Sequence, residues 1–252
     1  MLSKQLQKLI RSLEQKKYRK ESKLFVAEGG KTVCDLIAAG MPCEKILATK
    51  EWLMSHPLDT KAQVIEVTSD ELSRVSFLRA PQGILGLFKQ CDDTIDPTIA
   101  TKELCLALDD VQDPGNLGTI IRIADWFGIE HIFCSNGTAD IYNPKTVQAT
   151  MGAIGRVKVH YTNLPQLLAT LKEQTPIYGT FLDGENMYDK EIQNRGIIVM
   201  GNEGNGIGSD CAKEITERLF IPNYPIGRET SESLNVSMAT AIICAEFRRR
   251  AM

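Results

Sequence analysis

A chain of 252 residues is long enough to bury one large core or two modest ones. Its apolar fraction of 43% and charged fraction of 24% are those of an ordinary soluble globular protein, and a net charge of −3 argues against a surface that coats nucleic acid indiscriminately. Seven scattered cysteines with no C-x-x-C pair, and histidines only at 56, 131 and 160, argue against a disulfide frame, a zinc site or a Cys–His or Ser–His catalytic pair. The expectation is a cytoplasmic chain with reduced core thiols and no bound metal.

The first 24 residues hold Lys4, Lys8, Arg11, Lys16, Lys17, Arg19, Lys20 and Lys23 against Glu14 and Glu21, a local charge of +6. Within them Leu6, Leu9, Ile10 and Leu13 recur at helical spacing and predict one helix over residues 3–20. This stretch has no apolar core, so it does not read as a signal peptide, and no apolar run in the chain approaches the roughly 18 residues of a membrane span. Leu24 to Ala27 reads as a strand broken by Glu28-Gly29-Gly30, and Lys31 to Ala39 as a helix stopped by Gly40. A strand at 45–49, a short helix at 51–55, a strand at 63–67, a helix capped by Ser69 and a strand at 83–88 follow. Such alternation predicts a compact α/β layer domain.

Residues 91–101, with aspartates, Pro97 and threonines, read as a linker, which divides the chain into residues 1–95 and 96–252. Beyond it, strands are expected at 104–108, 131–134, 158–160, 177–181, 196–200 and 218–221. Helices are expected at 117–127, about 144–151, 164–173, 209–216 and 234–249. The chain ends in Arg248-Arg249-Arg250. Both basic ends are explained by solvated helix faces; steering of a polyanion to one face is the competing reading.

Three patches in the second half carry the chemistry. The apolar run Ile197 to Met200 empties into Gly201-Asn202-Glu203-Gly204-Asn205-Gly206-Ile207-Gly208, glycine at four of eight positions. That is a strand end where backbone must approach a ligand closely or take positive φ. A dinucleotide fold puts its glycine loop after the first strand, and a phosphate-cradling loop would follow the glycines with Lys-Ser/Thr; neither holds here. The second patch, Asp109-Asp110-Val111-Gln112-Asp113-Pro114-Gly115-Asn116, is a turn into a helix that places Arg122 among Ile120, Ile121 and Ile123. Asn116 and Arg122, nearly two helical turns apart, are expected to point the same way. The third patch runs from Ile221-Pro222 to Ser233-Leu234-Asn235-Val236-Ser237, where Ser233 or Asn235 would cap a helix.

In this order and at these separations the patches resemble the three motifs of the SpoU (TrmH-type) RNA 2′-O-ribose methyltransferases of the SPOUT superfamily. Residues 1–95, through Phe25-Val26-Ala27-Glu28-Gly29 and Gly83-Ile84-Leu85-Gly86, are similar to the L30e-like RNA substrate-binding domain of many members. The resemblance implies an α/β fold: a smaller L30e-like domain, then a mostly parallel sheet closed by a deep trefoil knot. It implies S-adenosylmethionine bound by Thr180, Gly201, Ile221 and Leu234. It implies Arg122 as the group that activates the ribose 2′-hydroxyl, positioned by Asn116, Glu203, Ser233 and Asn235. It implies a homodimer through the C-terminal domain acting on RNA, ribosomal RNA before tRNA; a tRNA enzyme or a catalytically silent RNA-binding assembly protein is the alternative. Two departures stand out. Gly208 occupies a position that is commonly Ser or Thr, and the stretch 222–232, with Tyr224, Arg228, Glu229 and Ser231, runs a few residues long.

Overall fold

The computed structural model describes residues 2–91, 96–225, 228 and 233–251; Glu229 and Ser231 lie outside the described residues. In chain order the first half contains α1 (Lys4–Ser12), α2 (Lys16–Ser22), β1 (Leu24–Glu28), α3 (Gly30–Ala38), β2 (Cys43–Thr49), α4 (Lys50–Ser55), β3 (Gln63–Val67), α5 (Ser69–Val75) and β4 (Ile84–Lys89). The second contains β5 (Leu104–Leu108), α6 (Pro114–Trp126), β6 (His131–Ser135), α7 (Pro144–Thr150), β7 (Lys158–Thr162), α8 (Leu164–Leu171), β8 (Ile177–Asn186), β9 (Gly196–Met200), α9 (Ser209–Ala212), β10 (Glu217–Phe220) and α10 (Val236–Arg249). Two compact units result: Met1–Asp92 with Asp140–Arg156, and Asp93–Ala139 with Val157–Met252.

The first unit is a four-stranded sheet in the order β1-β4-β2-β3, with β4 antiparallel to both neighbours and β2 parallel to β3. β1 stands at one edge yet all five of its residues are buried, because α7 packs beside it. The single helix expected over 3–20 is two helices. Leu13 is buried at the break, and the guanidinium of Arg19 donates to the carbonyls of Leu13 (2.8 Å) and Glu14 (2.7 Å) that the break exposes. Arg19 is itself 2% exposed and pairs with Asp140 at 2.6 Å. Arg11 donates to the carbonyl of Ser76 at 3.1 Å. Two of the basic residues in the N-terminal run are thus structural, and the six lysines remain exposed. The cap of α5 is Thr68, not Ser69: its hydroxyl accepts from the Glu71 N–H, while the Glu71 carboxylate accepts from the Thr68 N–H in a capping box.

The second unit is a six-stranded sheet in the order β10-β8-β9-β5-β6-β7, every pairing parallel. Every residue of β5, β6 and β9 is buried, as expected for parallel strands covered on both faces. One face packs Cys105, Ala107, Ile197 and Val199 against Leu164, Leu168 and Leu171 of α8. Burial pushes the thiols of Cys105, Cys211 and Cys244 up to about 12, which leaves them protonated and unreactive at neutral pH. α6 begins three residues earlier than its hydrophobic spacing indicates, with Asp113 accepting from the Asn116 N–H as its N-cap and Pro114 at the first position. β8 is longer than expected. It leaves β9 after Gly179, opposite Val199, and continues to Asn186 beside β10 through a register shift.

The terminal arginines fold inward. Arg248 donates to the carbonyls of Phe127 (2.7 Å) and Gly128 (2.9 Å), capping the end of α6, and Arg250 to those of Met187 and Tyr188 (2.8 Å each). Glu246, 6% exposed, accepts from Arg249 at 2.7 Å and Arg250 at 2.6 Å, which holds its carboxyl down at about 2. A carboxyl depressed on folding contributes stability above its unfolded value of 4.5 and loses it as pH falls toward 2. Glu246→Gln should therefore lower the melting temperature at pH 7 and flatten its fall between pH 4.5 and 2; melting curves over that range that parallel the wild type would contradict this.

Candidate functional site

Three segments far apart in sequence meet at the carboxyl ends of β5 and β9, where parallel α/β sheets place their ligands. They are the turn before α6, the glycine loop after β9, and the start of α10. Asn235 caps α10: its Oδ1 accepts from the backbone N–H of Ser237 (3.0 Å) and Met238 (3.4 Å) and from the Ser237 hydroxyl (2.6 Å). With its oxygen so used, its Nδ2 donates to Oδ1 of Asn116 at 3.1 Å. Asn116 in turn donates through Nδ2 to Oε1 of Glu203 at 3.0 Å. The Glu203 carboxylate also faces the N–H groups of Gln112 (3.5 Å) and Asp113 (3.4 Å), at the positive end of the α6 dipole.

The glycine loop is built by its own backbone. Asn202 and Gly206 exchange N–H···O=C bonds of 2.9 and 3.0 Å, and Oδ1 of Asn202 gathers the N–H groups of Gly204 and Asn205. A Cβ on Gly201 would lie 2.2 Å from the carbonyl carbon of Gly206, and Gly206 has φ +68°, so these two positions require glycine. The loop makes two bonds to the β5 end that the sequence reading left without a role. Nδ2 of Asn202 donates to the Asp110 carbonyl (2.7 Å), and the Gly208 N–H donates to Oδ2 of Asp109 (2.8 Å).

Arg122 is not part of this cluster. It is exposed, makes no hydrogen bond or ion pair among the described residues, and at about 100° per residue sits roughly 120° around α6 from Asn116. The expectation that the two share a direction therefore does not hold. Ser233 is exposed and likewise makes no hydrogen bond among the described residues. Leu234 is 50% exposed and Ile221 half-buried. Thr180 is half-buried at the point where β8 departs from β9, within the strand and not at its end. Among the described residues no group of His, Cys, Asp and Glu could hold a metal ion.

The sequence pattern of the SpoU rRNA Methylase family matches residues 103–245, and that of the MRM3-like substrate binding domain residues 5–86. Over 94% of its length the chain is 32% identical to the 23S rRNA (guanosine(2553)-2′-O)-methyltransferase RlmP of Bacillus subtilis, covering 94% of that protein. Among solved structures, a TrmH-family chain from Porphyromonas gingivalis is 39% identical, with a TM-score of 0.88 and 99% of each chain covered. The S-adenosylmethionine-bound rRNA methyltransferase of Sinorhizobium meliloti is 30% identical, with a TM-score of 0.86, covering 100% of this chain and 97% of that one. The chain belongs to the SpoU rRNA methylase family. It is an S-adenosylmethionine-dependent RNA 2′-O-ribose methyltransferase.

The glycine loop carries no phosphate-binding side chains and is folded tightly on itself, with Gly201 lying so close to the Gly206 carbonyl and the Ile207 nitrogen that a Cβ has no room. A loop built of backbone groups in this way fits a phosphate-free nucleoside cofactor. Gly201→Ala should shift the loop backbone, cost about 1–3 kcal/mol of stability and abolish S-adenosylmethionine binding in a calorimetric titration. Wild-type affinity in that variant would contradict the role of the close approach.

Proposed function

We propose that the chain methylates a ribose 2′-hydroxyl of ribosomal RNA, with residues 96–252 forming the catalytic domain and residues 1–95 the RNA-binding one. The observation that carries this reading is the hydrogen-bond chain Asn235–Asn116–Glu203, which joins all three motifs at 3.0 and 3.1 Å beside the cofactor loop. The ribosomal target is supported by the relatives from B. subtilis and S. meliloti, both named as rRNA enzymes, and by six exposed lysines in the first 24 residues.

When bound, S-adenosylmethionine supplies an electrophilic methyl group on sulfur. Gly201 and its loop would hold the adenosine through backbone groups, Ile221 and Leu234 would cover the adenine faces, and Thr180 would close the pocket from β8. Held there, the cofactor would offer that methyl group to the ribose 2′-hydroxyl oxygen and leave as the neutral thioether, with the hydroxyl proton passing to solvent water. A hydroxyl is a poor nucleophile at neutral pH, so it must be aligned and its developing charge stabilised. Arg122 is assigned that work. A guanidinium does not deprotonate in proteins, but its planar fork can hold an RNA phosphate and stabilise an alkoxide. Its lack of a hydrogen-bond or ion-pair partner among the described residues leaves the fork available to RNA. Asn116, Glu203 and Asn235 would fix the motif ends around the ribose, with Ser233 at the mouth.

A homodimer through the second unit is part of the same reading. Trp126 on α6 is 84% exposed and Met238 on α10 is 59% exposed, large apolar side chains on two helices that pack together. The knot implied by the resemblance belongs to the same reading; α10 is tied to the start of α6 through Asn235 and Asn116 and to its end through Arg248 and Phe127. A cytoplasmic location is supported by the buried free cysteines.

Arg122→Ala should reduce methyl transfer to ribosomal RNA by ~100-fold or more while S-adenosylmethionine affinity stays within about twofold, measured by 2′-O-methyl mapping and calorimetry. Near-normal turnover would remove Arg122 from the mechanism.

A further inference from the structure

We propose that Asp109 and Asp110, at the end of β5, are positioning residues that clamp both ends of the glycine loop and hold it in its cofactor-binding shape. The inference rests on the reading of residues 201–208 as the cofactor loop, and goes beyond it by assigning what fixes that loop. Six of the loop's eight residues are exposed or glycine, and its internal bonds close only a small ring between Asn202 and Gly206. Such a ring has no shape relative to the sheet unless something outside it supplies anchors. The β5 end supplies one on each side of the ring: the Asp110 carbonyl takes Nδ2 of Asn202 at 2.7 Å, and the Asp109 carboxylate takes the Gly208 N–H at 2.8 Å.

The two anchors are themselves built. The Asp109 N–H donates to the Met200 carbonyl at 2.9 Å, extending the β5–β9 ladder to the first residue before the loop. Asp110 has φ +56°, a left-handed backbone that turns its carbonyl toward the loop. β6 holds it there: the Asp110 N–H donates to Oγ of Ser135 (2.9 Å), and the Ser135 hydroxyl donates to Oδ1 of Asp110 (2.7 Å). Gly137 makes room for that carboxylate, since a Cβ there would lie 2.2 Å from Oδ1. The clamp also gives a reason for glycine at 208. With its N–H committed to Asp109, a Cβ at that position would stand 3.1 Å from the same carboxylate oxygen. Asp109, through its side chain, is the member whose removal leaves the backbone path of β5 untouched.

The test compares Asp109→Ala, Asp109→Asn and Asn202→Asp in the full chain, by calorimetric titration with S-adenosylmethionine and by thermal melting. A hydrogen bond to a charged acceptor that orders a loop corresponds to about tenfold in affinity. Asp109→Ala should therefore raise Kd ~10-fold, and Asp109→Asn, which keeps an oxygen acceptor for the Gly208 N–H, should restore it to within about threefold. Asn202→Asp keeps the oxygen that accepts from the Gly204 and Asn205 N–H groups, loses only the donor to the Asp110 carbonyl, and should also weaken binding ~10-fold. It decides the matter should Asp109→Ala fail to fold. Wild-type affinity in Asn202→Asp, or in a folded Asp109→Ala, overturns the clamp, as does an Asp109→Asn variant as weak as the alanine. A wild-type protein that gave no heat with S-adenosylmethionine would instead overturn the cofactor reading underneath, and the clamp with it.

Discussion

Hydrogen bonding at the candidate site runs in one direction, and the geometry around it depends on that direction. The N-terminal N–H groups of α10 have no partners within the helix and find one in Oδ1 of Asn235. An amide side chain has one acceptor end and one donor end, so Asn235 is left to donate, and Asn116 must accept from it and donate onward. The chain ends where it must, on an acceptor-only group, the Glu203 carboxylate. An aspartate at 116 would set two carboxylates against each other, and one at 235 would leave Oδ1 of Asn116 without its donor. The arrangement locks the start of α6, the loop after β9 and the start of α10 into one frame, although 87 and 119 positions separate the bonded pairs.

The second constraint is what the basic residues do. Arg19 and the terminal triplet look alike in sequence, as solvent-facing charge, yet the structure divides them by task. Arg19 and Arg248 satisfy carbonyls that helix ends leave open, Arg250 does the same for the turn at 187–190, and Glu246 neutralises the arginines that flank it. Arg122, surrounded in sequence by isoleucines, is the arginine of α6 and takes no partner among the described residues. Its guanidinium is exposed, as the proposed role toward RNA requires, whereas the C-terminal arginines are committed to the fold.

Much of this was legible in the sequence, for identifiable reasons. The strands of the second sheet are buried on both faces, so they appear as uninterrupted apolar runs, and the glycine loop announces itself because Gly201 and Gly206 have no substitutes. Patterns failed where a distant residue decides the local structure. The break between α1 and α2 is stabilised by Arg19, which itself pairs with Asp140, 121 positions away. The grouping of residues 140–156 with the first unit follows from α7 packing on β1, which no local composition signals. At the site, Asn116, Glu203 and Asn235 were recognisable by motif, but the direction of their hydrogen bonds, the roughly 120° turn between Asn116 and Arg122, and the loop anchors at Asp109 and Asp110 are properties of the assembled sheet end.

The central claim is that Asn235, Asn116 and Glu203 act as one connected unit and not as three separate contacts. A double-mutant cycle of Asn116→Ala and Asn235→Ala, read as kcat/KM for methylation of ribosomal RNA, tests it most directly. A connected unit predicts that the double variant loses little more than the worse single variant, because the first substitution already interrupts the chain. Losses that multiply, each substitution costing its full factor in the other's presence, would contradict it.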